Sequence, residues 1–330
     1  MYKNRVINMQ NIVKEIFENH QIRKNKQQKN SFIEFVKRIA QDCGYETAVE
    51  QGSLGARNIV VGNPETADVI YTAHYDTCAV LPFPNFITPK NISIYLLYQV
   101  FMVVTLMYMP VFLLSALSTF VSVLLGADQI VATAVGAAVG MLSLVGAVFL
   151  IMAGPANKNT ANDNTSGVIT LFAIMKNIPE HLHGKTAFVF FDLEEIGLVG
   201  SASYRVKHKE KIEKVPVVNF DCVSDGKNFI FVAKKQARAY ENIIKEAFLP
   251  DGEYDTEVLT GGVIYPSDQS SFPRGIGVAA VKKSKKLGLL YMDRIHTAKD
   301  TAFDYNNIDF LCRGAISFSE KISEKNLQNS

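Results

Sequence analysis

The chain has 330 residues, enough for one large domain or two smaller ones, and either can bury a full core. Its 34 Lys and Arg against 32 Asp and Glu leave a net charge of +2, with no concentrated basic face of the kind nucleic-acid binding uses. The four cysteines, Cys43, Cys78, Cys222 and Cys312, form no C-x-x-C pair, which excludes a zinc knuckle, a redox motif and a disulfide framework, so they read as small buried residues of a reducing compartment.

The opening segment MYKNRVINMQNIVKEIF has neither an apolar core nor a small-residue cleavage site, so it is no signal peptide and the stretch before residue 91 is expected in the cytosol. Helical spacing runs over residues 9–20 and 31–42, the second carrying Phe32, Phe35, Val36 and Ile39 on one stripe. Ser31 and Glu34 form a candidate capping box, residues 23–30 read as a lysine-rich loop, and Gly44 closes the helix. Three β-type runs follow at 46–50, 58–61 and 68–73. The last, DVIYTA, ends at His74, as a buried strand that delivers a side chain at its C-terminal end.

Between Lys90 and Lys158 the only charged residue is Asp128. About 20 consecutive apolar residues suffice to cross a bilayer, so residues 92–155 are expected to form a transmembrane helical hairpin, turning at 126–129. The apolar run 130–153 suits one span, and Gly136 and Gly140 form a GxxxG face expected to pair with a second copy of the chain as a homodimer. The run 92–126 exceeds one upright span and contains Pro110, so it is expected to start at the interface near Tyr95 and Tyr98 or to kink at the proline. The rival reading, a lid on a soluble enzyme, fits poorly with so few charges.

Beyond residue 156, α and β alternate: helix 166–177, strand 186–191, helix 200–208, strands 215–220 and 229–232, helix 237–248, strand 276–281 and helix 307–322. That alternation predicts an α/β fold, a three-layer α/β/α sandwich with a mostly parallel mixed sheet. The domain division is then 1–91 with 156–330 as a discontinuous catalytic domain, and 92–155 as the inserted hairpin. Ligands in such folds gather at the carboxyl ends of strands, and His74, Glu194, Glu195 and Asp221 all follow β-type runs.

A dinuclear hydrolytic centre needs nitrogen and carboxylate ligands, a bridging carboxylate and an unligated base. The chain offers HYDT (74–77), NDNTSG (162–167), FFDLEEIGLVGS (190–201), NFDCVSDG (219–226), SDQSSF (267–272) and IHTAKDT (295–301). In order and spacing these segments resemble the co-catalytic di-zinc aminopeptidase family, which also contains glutamate carboxypeptidases and has glutaminyl cyclases as relatives. The resemblance covers residues 30–91 and 156–325 and implies two Zn²⁺ ions. His74 and Asp221 would hold one, Glu195 and His296 the other, with Asp163 bridging. Glu194 would be the general base, and Asp76 would orient His74.

Asp268 matches a segment near the family's substrate pocket or caps a turn, and Asp300 is expected behind the ligands. His20, His181, His183 and His208 read as surface residues. Lys282, Lys283, Lys285 and Lys286 read as a solvated loop or a contact to anionic headgroups. Since His74 and Asp163 must reach the same metals, the chain crosses the membrane an even number of times between them. Lys90 and Lys158 flank a hairpin tipped by Asp128, which favours a cytoplasmic catalytic domain.

The expected function is a membrane-anchored zinc metallopeptidase, an aminopeptidase acting on peptide substrates at the lipid bilayer, with no nucleic-acid partner. The alternatives are a glutaminyl-cyclase-like acyltransferase, a carboxypeptidase or dipeptidase of the same fold, and a non-catalytic membrane scaffold.

Overall fold

The computed structural model describes residues 8–328; residues 1–7, the start of the segment expected to lack a signal peptide, lie outside that range. Helix α1, Met9–Asn19, is capped by Asn8, whose side chain accepts the Gln10 N–H at 3.1 Å, and it buries Met9, Ile12 and Ile16. Helix α2, Lys26–Asp42, starts five residues before the expected Ser31 cap. Its capping box is Asn25 with Gln28: the Asn25 side chain accepts the Gln28 N–H at 2.9 Å and Gln28 returns the favour to the Asn25 N–H at 3.0 Å. Asn and Gln supply the same pair of acceptors as Ser and Glu, and Lys and Gln are good helix formers, so the stretch expected as loop winds into the first turns.

Nine strands form one sheet: β1 Thr47–Gln51, β2 Arg57–Val61, β3 Val69–His74, β4 Thr186–Phe191, β5 Val217–Phe220, β6 Asn228–Ala233, β7 Asp255–Leu259, β8 Gly275–Lys283 and β9 Leu290–Tyr291. Their order is β1-β2-β4-β3-β5-β8-β6-β7, with β9 on β8. The central block β4-β3-β5-β8 is parallel, with His74 opposite Phe191 and Thr72 opposite Asn219, and antiparallel pairs flank it. Strands β7 and β9 were not expected. DTEVL opens with three polar residues before Val258 and Leu259 and forms an edge strand with only Leu259 buried, and β9 is two residues long.

The expected hairpin is present as two long apolar helical stretches. Helix α3, Ile92–Val103, passes through a π turn, Val104–Tyr108, into α4, Met109–Leu124, as one continuous stretch of 33 residues. Pro110 cannot donate to the Leu106 carbonyl. The helix accommodates the missing bond in the π turn that ends just before it. Helix α5, Gln129–Ala153, returns over 25 residues, and Asp128 caps it, accepting the N–H groups of Ile130 and Val131 at 2.9 Å each. The lone charge of the insertion therefore has a local structural task. At roughly 1.5 Å per residue both stretches exceed a hydrocarbon core of about 30 Å. Few of their residues are buried: Leu97, Phe112, Leu124, Met141 and Leu142 stand exposed.

The GxxxG face is not free for a second copy. Gly136 and Gly140 are buried against α4, where a Cβ at Gly136 would collide with the Thr119 hydroxyl and one at Gly140 would press on Ser115. Small residues let the two arms of one hairpin approach closely, so the face expected to meet a second copy packs within the hairpin. The roots are docked. The Tyr98 hydroxyl donates to the Pro84 carbonyl at 2.8 Å, Gln99 donates to Asn85 at 3.1 Å, and the Lys24 ammonium donates to the Met152 carbonyl at 3.0 Å.

Helices α6 Gly167–Asn177, α7 Val199–Lys207, α8 Lys209–Ile212, α9 Glu241–Ala247 and α10 Tyr305–Gln328 complete the sandwich. The expected helix 237–248 is split into a 3-10 turn, Lys235–Tyr240, and α9. Helices α1, α2, α6, α9 and α10 cover one sheet face, burying Tyr71, Phe188, Phe220 and Phe231. Ile70, Val189, Phe191 and Val217 point to the other face, against Tyr204 of α7 and Ile212 of α8. Three of the four histidines expected on the surface are engaged: His20 is buried against Phe35, His183 stacks on Tyr45, and His208 sits between Glu50 and Glu65. Lys282 is tied into ion pairs with Asp225 and Asp293 rather than joining a free basic cluster.

The hairpin packing makes a clear prediction. Gly136→Ile should lower the unfolding temperature of the detergent-solubilised protein, whereas Gly146→Ile, at a glycine with open space around it, should leave it nearly unchanged. Equal effects would contradict the contact described.

Candidate metal centre

The parallel strands deliver four of the expected side chains to one edge of the sheet. His74 ends β3, Glu194 and Glu195 follow β4, and Asp221 follows β5. Asp163 comes from the turn Ala161–Ser166 that leads into α6, and His296 from the loop after β9. Gly167 lets α6 start directly on this edge, since a Cβ there would strike the Phe220 carbonyl.

The structure brings all five expected ligands and Glu194 together. His74 Nε2 lies 3.2 Å from Asp163 Oδ1 and 3.5 Å from Asp221 Oδ1. His296 Nε2 lies 3.1 Å from Asp163 Oδ2 and 3.3 Å from Glu195 Oε2. The two oxygens of Asp163 thus face two different sets, His74 with Asp221 and His296 with Glu195. The Glu194 carboxylate falls within 4.8 Å of His74 and Glu195 donor atoms. A cavity of about 130 Å³ opens here, walled also by Asn85, Ile87, Tyr265 and Ile295.

A second layer of hydrogen bonds sets these positions. Asn162 accepts the N–H groups of Ser224 at 2.7 Å and Asp225 at 3.1 Å, while Asn164 donates to the Phe220 carbonyl at 2.9 Å and accepts the Gly167 N–H at 3.0 Å. The two asparagines beside Asp163 therefore lash its turn to the Asp221 loop. Asp300 accepts the N–H groups of Asn162 and Asp163 at 2.9 and 3.0 Å, which places it behind the ligands as expected. Asp76 differs in detail from expectation. Its carboxylate accepts the N–H groups of Glu194 at 3.0 Å and Glu195 at 3.3 Å, and the nearer contact to the His74 ring is its backbone carbonyl at 3.2 Å. Asp76 steadies the glutamate pair first and the histidine second.

The backbone is strained at the same places. Among the described residues five non-glycines have positive φ, and three of them are His296, Cys222 beside Asp221, and Leu193 beside Glu194. Each such conformation costs about 1–3 kcal/mol and persists only where its surroundings hold it.

Electrostatics show what the cluster lacks. Burial pushes the Glu194 carboxyl well above the usual range, and burial lifts Glu195 to about 8 despite the neighbouring His296. Burial alone would depress His296, yet Glu195 and Asp163 raise it to about 9. Burial also opposes ionisation of Asp163, but hydrogen bonds from His296 and His74 hold it well below the usual range. Glu195 Oε1 is buried with no hydrogen-bond partner. Imidazole and carboxylate donors crowded at one point, with an orphaned oxygen among them, fit a site for divalent cations. Asp268 is also buried, and burial lifts it to about 7 against the nearby Ser201 hydroxyl. It heads the turn Asp268–Ser271 but caps nothing there.

Two buried cations escaped the sequence reading because they lie in the stretch taken as a loop. Arg23, fully buried, donates to the carbonyls of Tyr75 and His20 and at 3.2 Å to Thr165, so it joins the loop after His74 to the turn of Asp163. Lys29 pairs with Asp192, whose carboxylate also accepts the Arg57 N–H at 3.0 Å. Lys29 lies three residues before Phe32, at helical spacing to the apolar stripe, a signal that a helix starting at Lys26 would have exposed; nothing in the sequence marked Arg23.

The hairpin roots close around the His296 loop. Leu81 N–H donates to the His296 carbonyl at 2.8 Å, Asn157 to Thr297 at 3.0 Å and Asn159 to Ala298 at 2.7 Å. Val80 N–H donates to the Pro155 carbonyl at 2.9 Å, so the outgoing and returning strands of chain meet.

The profile of Peptidase family M28 matches residues 145–312, just over half of the chain, and includes Asp163, Glu194, Glu195, Asp221 and His296. No curated protein matches. Among solved structures the chain is similar to the Legionella pneumophila LapA aminopeptidase (13% identity, 96% of this chain and 68% of that one, TM-score 0.55). It is similar as well to Porphyromonas gingivalis glutaminyl cyclase (16% identity, 94% and 98%, TM-score 0.55). A leucine aminopeptidase precursor from Bacteroides thetaiotaomicron gives 14% identity, 92% and 93%, and a TM-score of 0.52. At these identities the likeness establishes the fold.

Two outcomes follow from this geometry. Arg23→Met should lower stability by roughly 2–4 kcal/mol, since it strands buried carbonyls that a charged donor now satisfies, while Arg38→Met on the surface should change little. In the metal-free protein Glu195 and His296 hold protons at pH 7, so metal uptake must displace them and affinity must rise between about pH 6 and 9. Calorimetric titration in buffers of different ionisation enthalpy measures that release, and heats independent of buffer would contradict it.

Proposed function

The chain belongs to peptidase family M28, and from that premise we propose that it is a membrane-anchored zinc exopeptidase, an aminopeptidase that removes N-terminal residues from peptides close to the bilayer. The observation that carries the reading is Asp163 facing two His–carboxylate sets with its two oxygens. His74 and Asp221 would hold one zinc ion, Glu195 and His296 the other, and Asp163 both. Zinc bound there supplies a Lewis acid for the scissile carbonyl and an acidified water.

The chain's own residues do the rest. Glu194 is the base: its carboxylate takes the proton of the attacking water and hands it to the nitrogen of the leaving amine. Its raised pKa suits the return of that proton. Asp76 holds the backbone N–H groups of both glutamates, so base and ligand keep a fixed offset. The cavity walls of Ile87, Tyr265 and Ile295 offer an apolar seat that keeps bulk water out.

Residues 1–91 and 156–330 act as the catalytic domain, and residues 92–155 as the membrane hairpin. Two helices that are long enough, apolar and mostly exposed support the anchor. The Lys90 and Lys158 flanks, against Asp128 at the tip, support a cytoplasmic catalytic domain. Because the roots of the hairpin grip the His296 loop, the mouth of the site lies near the lipid, and apolar peptides that partition to the membrane reach it at raised concentration.

Peptides with free and blocked N-termini, incubated with the zinc-loaded protein, test the reading. Stepwise loss of residues from free N-termini is expected. Conversion of glutaminyl peptides to pyroglutamyl products without hydrolysis, or cleavage indifferent to the N-terminal block, would overturn it. Glu194→Gln should keep its zinc and lose about 10²–10⁴-fold in kcat, whereas Glu195→Gln should lose zinc. Equal metal content and equal activity loss in the two variants would refute this division of roles.

A further inference from the structure

The loop that leaves β3 carries one more donor into the centre. Cys78, four residues after His74, is buried, and its Sγ lies within 4.8 Å of donor atoms of Glu195 and His296. A buried cysteine ordinarily acts as a small apolar filler. Cys78 instead faces the carboxylate of Glu195 and the ring of His296. Among the described residues its Sγ has one hydrogen-bond contact, a long one of 3.9 Å from the Asn157 side chain. The second and independent sign is Glu195, whose side chain is 7% exposed and whose Oε1 finds no partner. A thiol and an unpaired carboxylate oxygen, held side by side next to an imidazole, make an unfavourable arrangement without a cation and a favourable one with it.

The position of the sulfur is also built rather than incidental. The Cys78 carbonyl accepts the Asn157 N–H at 3.1 Å and Ala79 bridges Ala156, so the residue is pinned where the two hairpin roots meet. The same Asn157 donates to Thr297 beside His296. One asparagine thereby fixes the distance between the sulfur and the His296 loop.

We propose that Cys78 is a fourth protein ligand of the ion held by Glu195, His296 and the shared Asp163, bound as thiolate after its proton passes to solvent. This inference rests on the metal-centre reading given above. Four protein donors close a tetrahedral site, as in structural zinc centres, while the set His74, Asp221 and Asp163 keeps a position open, as catalytic zinc requires. The two sites are then unequal: the sulfur-bearing one retains its ion and selects thiophilic metals, and the other one presents substrate with an open position. A soft ligand also disfavours Mg²⁺ and Mn²⁺ in the closed site.

The test uses the full chain in detergent, stripped of metal and titrated with Co²⁺. A sulfur-to-cobalt charge-transfer band in the near ultraviolet is expected, absent in Cys78→Ser and retained in Cys222→Ser, with visible ligand-field bands in all three proteins. X-ray absorption of the unaltered zinc-loaded protein needs no variant and should show a Zn–S shell at about 2.3 Å. Cobalt bound with ligand-field bands but no charge-transfer band, a band lost in Cys222→Ser instead, or a zinc shell of only nitrogen and oxygen would overturn the role of Cys78 while leaving the metal centre intact. Failure of the unaltered protein to bind cobalt or zinc at all would overturn the metal centre itself.

Discussion

Everything at this site answers to one constraint, the gathering of like charges away from water. Asp163, Glu195, Asp221 and Glu194 converge with two imidazoles on a small cavity at the sheet edge. Two carboxylates about 4 Å apart repel by roughly 4 kcal/mol at the effective dielectric of a protein surface, and more in a drier setting. Only protons or cations relieve that repulsion. Without metal the cluster retains protons: burial lifts Glu195 to about 8, and Glu195 and Asp163 raise His296 to about 9 against its own burial. The supporting structure is what keeps the groups from moving apart: Asp300 and the asparagines around Asp163, Asp76 under the glutamate pair, and Arg23 across the two loops.

The hairpin belongs to the same mechanical system. It leaves the chain beyond Cys78 and returns at Asn157, and both roots hydrogen-bond the loop of His296. An insertion that merely anchored the protein could have emerged from any exposed turn. This one emerges from the segment that carries His74 and comes back into the segment that carries Asp163. Closing the Gly136 and Gly140 face within the hairpin gives the pair of helices internal stiffness. The apolar surface that remains on the two helices is exposed.

Much of this was legible in the sequence because the relevant signals are local. An apolar run that ends in a polar ligand marks a strand tip, and the six motifs keep the order of the family, so the sheet centre, the hairpin and the convergence of His74, Asp163, Glu194, Glu195, Asp221 and His296 followed from them. What was missed depends on contacts between distant residues. Asn25 and Gln28 cap α2 as well as Ser31 and Glu34 could have, and sequence alone does not choose between two adequate capping boxes. The glycine face is the same pattern whether its partner is α4 or another chain. His20 reads as a surface residue and Arg23 as part of a loop, yet both are buried in the fold. Cys78 carried no metal-site spacing, and only the folded loop sets it beside Glu195 and His296.

The central claim is that Asp163 stands between two bound ions. Crystals of the zinc-loaded protein measured at the zinc absorption edge test it most directly. The account predicts two anomalous peaks flanking the Asp163 carboxylate, one beside His74 and Asp221 and one beside Glu195 and His296. A single peak, or peaks away from Asp163, would contradict it.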